Sequence, residues 1–136
     1  LGEFRNHYPK ALSHGMRQRV ALARTFSLES PILLMDEPFG ALDAQTKLQL
    51  EDVLLDLWGA EKRTVIFITH DLNEAVTLSD RVVVMSARPG RIVADIPIRL
   101  PRPRSVRALQ KDPLYHETYT EVWSWLEQGL NQVGLS

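Results

Sequence analysis

Two short apolar runs, Ile32-Leu33-Leu34-Met35 and Thr64-Val65-Ile66-Phe67-Ile68-Thr69, frame a segment of a different period. Between them Leu50, Val53, Leu54, Leu57 and Trp58 fall at i, i+3, i+4, i+7 and i+8, which predicts an amphipathic helix over 44–58 ended by Gly59. A continuous apolar run of strand length predicts a strand covered on both faces, and the β-branched character of the second run strengthens that reading. Upstream, Ser13 stands where an N-cap belongs, ahead of Met16, Val20, Ala23 and Arg24 on one helical face, so a helix is predicted over 15–26. Pro9 disfavours helix before it, and Glu29-Ser30-Pro31 breaks it. With a short helix over 72–78, the order strand, helix, strand, helix predicts a parallel sheet.

The pattern then changes. Arg81 to Ser86 and Arg91 to Ile98 are strand-like and flank Arg88-Pro89-Gly90, whose Pro-Gly pair suits the centre of a type II turn. An antiparallel hairpin is predicted there. Pro97, Pro101 and Pro103 punctuate a linker, and Tyr115, Tyr119, Val122, Trp123 and Leu126 form the apolar stripe of a closing helix. Arg99, Arg102, Arg104, Arg107 and Lys111 make up a basic cluster. No aromatic residues interleave with it, so a solvated linker is expected rather than a lipid or nucleic-acid surface.

Composition narrows the classes. A chain of 136 residues that is 44% hydrophobic and 24% charged is an ordinary globular domain with a real core, and two independent domains are not expected. The net charge of -1 argues against a surface built for nucleic acid, and the absence of cysteine excludes disulfides and thiolate metal sites. No apolar run approaches the roughly 20 residues of a bilayer span, and the start has no signal-peptide pattern, so a cytoplasmic or peripheral inner-face location is expected. The chain does not begin with Met, which suggests a fragment or processed product.

The candidate chemistry lies at the strand ends. Leu33-Leu34-Met35-Asp36-Glu37-Pro38 puts two carboxylates at the tip of a strand, where one can hold a metal ion and the other can orient water. An isolated Asp-Glu pair could equally start a solvated turn. His70 follows the second strand directly; a lone histidine is more often structural. Ser13 and Gly15 sit at a predicted helix N-terminus, which favours an anion such as phosphate, although capping alone would explain Ser13. Asp43 before a helix is also a common N-cap arrangement.

Taken together, these motifs resemble the C-terminal half of an ATP-binding cassette (ABC) transporter ATPase. Leu12-Ser13-His14-Gly15-Met16 is similar to the family signature LSGGQ, with Arg17 to Arg24 as its continuation. Ile32 to Glu37 resembles the Walker B strand and its glutamate, Gly40-Ala41-Leu42-Asp43 the D-loop, and His70 the switch histidine. The implied fold is α/β: the C-terminal portion of a P-loop NTPase (RecA-like) parallel sheet with helices, a β-hairpin and a C-terminal helical tail. Residues 1–30 would end the helical subdomain, 31–100 form part of the catalytic core, and 101–136 supply the linker and C-terminal helices.

The resemblance implies ATP and Mg²⁺ as ligands. Asp36 would serve the metal, Glu37 and His70 would be catalytic, and Ser13, His14, Gly15 and Met16 would reach nucleotide held by a second ATPase subunit in a head-to-tail dimer. Asp43 would make contacts across that interface. The further partners implied are transmembrane permease subunits and, through them, a periplasmic or surface solute-binding protein, with no nucleic acid. Ser86 to Val93, the Pro-Arg linker and the aromatic closing helix look most like the nitrate, sulfonate, taurine and bicarbonate import group.

Two departures set limits. His14 occupies the first glycine of the signature, and if that backbone needs φ > 0 a side chain costs on the order of 1 kcal/mol or more in strain. The pattern G-x-x-x-x-G-K-[ST] does not occur in the chain, so the chain alone is not expected to be a competent ATPase. The alternative is a non-catalytic remnant or interaction module that docks on an intact ATPase subunit. Either way, strands 32–35 and 64–69 are expected to be partly uncovered in the isolated chain, an aggregation hazard.

Overall fold

A computed structural model describes the backbone of residues 9–87 and 89–134 and the side chains of 16–87 and 89–130. The chain divides into two compact units, one up to Ile68 and the other from Thr69 onward.

The first unit runs α1 (Pro9–Phe26), β1 (Ile32–Asp36), α2 (Ala44–Glu61), β2 (Thr64–Ile68). Proline does not bar helix at 9 but opens it: at a first helical position its missing N–H is not needed and its fixed φ suits the turn. Ser13 therefore lies inside α1 and is not its N-cap. The buried face of α1 is also not the expected one. Leu22 and Phe26, one turn apart, are buried, whereas Val20, Ala23 and Arg24 are exposed and Met16 is half-buried.

The helix α2 buries Leu50, Glu51, Leu54 and Leu55, with Leu57 and Trp58 only half-buried, so its core stripe is rotated toward Glu51 and Leu55. It passes through Gly59 and ends at Lys62, which adopts the left-handed conformation (φ 52°, ψ 43°) and donates its N–H to the Trp58 carbonyl. Arg63 then closes the end of α2 onto the loop before β1. Its guanidinium donates to the Leu28 carbonyl and pairs with Glu61 at 2.9 Å, while Trp58 Nε1 donates to the Arg63 carbonyl at 2.7 Å.

β1 and β2 pair in parallel, from Ile32 opposite Thr64 to Asp36 opposite Ile68. Residues opposite one another share a face. Leu33 and Met35 are buried, and Phe39 packs on Phe67 with ring centroids 5.8 Å apart. On the other face Ile32, Leu34, Ile66 and Ile68 are 55, 65, 52 and 46% exposed. The two strands are thus covered on one face only. The double coverage expected from their composition is absent, and the expected partial uncovering is present.

The second unit runs α3 (Leu72–Leu78), β3 (Arg81–Met85), β4 (Ile92–Pro97), α4 (Val106–Leu109), α5 (Pro113–Gly134). β3 and β4 form the expected antiparallel hairpin, Val82 opposite Ile96 and Val84 opposite Ala94, with an irregularity between Val84 and Met85. No described glycine has positive φ, so Gly90 does not serve a type II turn. Ser86 organises the connection instead: its N–H donates to the Arg91 carbonyl at 2.8 Å, and its hydroxyl donates to the Pro89 carbonyl at 2.6 Å while accepting from the Arg91 N–H.

Val76, Val82, Val84, Ile96, Ile98, Leu100, Leu109, Tyr115 and Val122 form one core. The proline-rich stretch is part of it and is not a solvated linker. Arg104 is buried there, donating to the carbonyls of Leu100 (2.9 Å), Thr77 (3.1 Å) and Ser79 (2.7 Å), and Arg102 bonds Asp80 at 2.8 Å and the Leu78 carbonyl at 2.7 Å. Burial, and next the like charge of Arg102, push the Arg104 guanidinium down to about 10. The stripe of α5 is centred on Tyr115, Thr118, Val122 and Gly129; Tyr119 and Trp123 lie on its exposed shoulder.

Candidate functional site

β1 delivers Asp36 as its last residue, exposed at the carboxyl end of the parallel pair, the edge at which open α/β sheets bind ligands. Glu37 extends the ladder one step, donating its N–H to the Ile68 carbonyl at 2.8 Å, and then leaves strand geometry with φ 46°. A side chain in the left-handed region costs of order 1–3 kcal/mol and persists where the surroundings over-determine it. Here they do. The Glu37 carbonyl accepts from Gly40 N–H at 3.2 Å across a turn containing Pro38, and Phe39 is wholly buried beneath. The result is an abrupt corner at which Asp36 and Glu37, consecutive in the chain, are both exposed.

The same turn runs into Asp43, which is extended (φ -68°, ψ 162°) and accepts from Thr46 N–H at 3.3 Å as the N-cap of α2. Hydrogen bonding from Thr46, first from its side chain and next from this N–H, holds the Asp43 carboxyl below the ordinary value. The capping reading of Asp43 is realised, and it leaves the residue exposed at the start of a helix.

His70 is exposed and stands between Thr69 and Asp71 at the start of the second unit, two residues beyond the end of β2. Asp71 caps α3, its Oδ1 accepting from Asn73 N–H at 2.8 Å and Glu74 N–H at 3.4 Å. The side chains of Ser13, His14 and Gly15 lie outside the described residues. Their backbone is helical, so residue 14 does not require φ > 0 and the strain expected of His14 is not present in this fold. Nor does α1 begin at the signature: its free N-terminal N–H groups belong to the residues that follow Pro9, which has none, and lie upstream of Ser13 and Gly15.

Among the described residues, no group of three or more His, Asp or Glu is arranged to hold a metal ion. A cation that arrives with a phosphate ligand needs fewer protein donors, and a hard exposed carboxylate such as Asp36 is chemically suited to it. No described helix is long and apolar enough to cross a membrane.

Sequence reasoning passed over Glu74, which is buried and accepts a hydrogen bond from the Thr69 hydroxyl at 2.6 Å. The signal was present: Asp71 followed three residues later by Glu74 is a capping-box spacing.

Residues 1–40 match the family described as ABC transporter. A putative ATP-binding protein of Brucella melitensis is 53% identical over 123 residues, 90% of this chain and 52% of the relative. An aliphatic sulfonates import ATP-binding protein of Bacillus licheniformis is 55% identical over 125 residues, covering 88% and 49%. An uncharacterized ABC transporter ATP-binding protein of Methanocaldococcus jannaschii is 55% identical over 110 residues, covering 81% and 41%. The chain spans about half the length of the curated relatives it matches.

Proposed function

We propose that this chain, which belongs to the ABC transporter ATP-binding family, contributes the hydrolytic half of an energy-coupling ATPase site in an importer of aliphatic sulfonates or a similar small anion such as nitrate or taurine. The observation that carries the reading is the corner at Glu37. A carboxylate in left-handed backbone geometry, held there by hydrogen bonds to Ile68 and Gly40 and next in the chain to Asp36, stands exposed at the carboxyl end of β1. Glu37 orients water for attack on the γ-phosphate and takes its proton. Asp36 would hold Mg²⁺ directly or through water, and the chemistry supplied there would be neutralisation of charge on the phosphates. For His70 the reading rests on the sequence motif Ile68-Thr69-His70-Asp71, by which it would contact the γ-phosphate.

In the same reading Ser13, His14, Gly15 and Met16 approach nucleotide bound by a second, head-to-tail ATPase subunit. Asp43 combines its cap with contacts across that dimer. Permease subunits anchor the assembly on the cytoplasmic face of the membrane, and the solute-binding protein acts through them.

The test is Mg-ATP hydrolysis with Glu37→Gln, measured on the chain joined to a segment that supplies a phosphate loop. Loss of the proton acceptor should lower turnover by about 10²–10⁴-fold with nucleotide affinity retained, and unchanged turnover would refute the assignment. A second reading, a non-catalytic module docking on an intact ATPase subunit, is favoured by the absence of a G-x-x-x-x-G-K-[ST] pattern from the chain. It predicts no saturable Mg-ATP binding by the chain alone, and binding to an intact subunit.

A further inference from the structure

Glu74 is a carboxylate only 2% exposed in the first turn of α3, and a capping box does not account for it, because the Asp71 N–H that such a box would bring to Glu74 donates to the Thr69 hydroxyl. Burying a carboxylate costs several kcal/mol before its hydrogen bonds compensate, so the bonds it makes identify its role. Its Oε1 accepts from the Thr69 hydroxyl at 2.6 Å. That same hydroxyl accepts from the Asp71 N–H at 2.9 Å. A threonine hydroxyl has one proton, so with that proton given to Glu74 it is a lone pair that serves Asp71. The two links hold both neighbours of His70.

The base under this arch is fixed as well. The Asn73 side-chain amide donates to the Tyr115 hydroxyl, and Arg104 holds the Thr77 and Ser79 carbonyls at the far end of α3. A short helix tied at both ends is a rigid support for a side chain presented at its start. We infer that Glu74 is a positioning residue for His70, acting through the Thr69 hydroxyl to fix the Thr69-His70-Asp71 arch. The catalytic meaning of that position rests on the reading of His70 as the γ-phosphate contact; the positioning itself does not.

The experiment follows the His70 ring resonances by NMR in the whole chain labelled at histidine, in the wild type, Thr69→Val, Glu74→Ala, Glu74→Gln and the double variant Thr69→Val/Glu74→Ala. Thr69→Val and Glu74→Ala should each shift and broaden the His70 signals. The double variant should shift them no further than either alone, and amide exchange at Asp71 should rise about tenfold for the lost hydrogen bond. Glu74→Gln keeps an acceptor for Thr69 and should return His70 to its wild-type position, which a role confined to filling space would not require of Glu74→Ala and Thr69→Val alike. Should Glu74→Ala fail to fold, Thr69→Val carries the test, since it preserves the side-chain shape. Unmoved His70 signals in folded Thr69→Val, or Glu74→Gln as displaced as Glu74→Ala, overturn the inference. Adding Mg-ATP to the wild-type chain joined to a segment with a phosphate loop separates the two readings: nucleotide binding with no response at His70 removes the nucleotide contact and leaves the positioning result standing.

Discussion

The parallel pair β1/β2 and the hairpin β3/β4 are both two-stranded, and β1 and β3 both alternate buried and exposed residues. They differ in what accompanies the exposed apolar residues. On the hairpin, the outward Val83, Met85 and Ile92 stand beside Arg81 and Asp95, which join in a two-pronged ion pair, while its inner face is packed into a core with α3 and α5. On the parallel pair, Ile32, Leu34, Ile66 and Ile68 form the middle of the outward face, with Thr64 and Asp36 at its two ends. An antiparallel hairpin can face water on one side, whereas parallel strands ordinarily lie covered on both. The hairpin's outward face has an ion pair across its strands; the parallel pair carries the composition of a sheet with a second cover.

The same substitution placed in each region gives the largest contrast. Val84→Lys puts a charge into the packed core and should cost more than about 4 kcal/mol, seen as loss of the cooperative urea transition of the second unit. Leu34→Lys places it on the bare face and should change stability by less than about 1 kcal/mol. It should also suppress self-association of the chain in light scattering, because a charge interrupts an exposed apolar strand surface. Equal costs at the two positions would mean that the parallel face is covered after all.

The next effect concerns the stretch at 101–109, and it shows what the sequence could and could not reveal. Arg104→Ala leaves the carbonyls of Leu100, Thr77 and Ser79 without their shared donor and should destabilise the second unit by about 3 kcal/mol. Removing Arg63, the clamp of the first unit, should cost about 1 kcal/mol, since its partners are exposed.

Sequence spacing located both strand pairs, α2 and the Asp36-Glu37 corner because apolar period and strand length are local properties. It read Arg104 as one member of a solvated basic cluster because the carbonyls that bury it lie as far as 27 residues away. It missed the left-handed backbone at Glu37 and Lys62 for a related reason: glycine is the usual marker of that conformation, and neither residue is glycine. Glu74 was hidden because a buried carboxylate and a solvated one are the same letter.

A smaller pair of changes sharpens the first unit alone. Lys62 caps α2 in a conformation that costs an ordinary side chain about 1 kcal/mol, so Lys62→Gly should raise stability by about that amount in urea titration. Gly59 lies within the same helix with nothing within 4 Å of an added Cβ, so Gly59→Ala should add about 0.5–1 kcal/mol. The two sites are in one helix end, and non-additivity in the double variant would show that the helix terminus moves when its cap is replaced.

The smallest expected effect lies on the outer face of the hairpin. The hydrogen bond from Arg81 holds the Asp95 carboxyl below its ordinary value of 3.8 in the folded chain. A carboxylate whose folded pKa is lowered contributes stability that is present above the unfolded pKa and fades as pH falls through the folded one. The thermal midpoint of the wild type should therefore approach that of Asp95→Asn as pH is lowered from 5 toward 2, with the gap at pH 5 shrinking at high salt because the pair is exposed. On the parallel pair, Ile66→Asn should show no such pH-dependent convergence with the wild type, since the substitution removes no titratable group. A gap at Asp95 that ignores both pH and salt would mean that Asp95 acts through strand packing, and the two sheets would then differ in coverage but not in how their outer faces are stabilised.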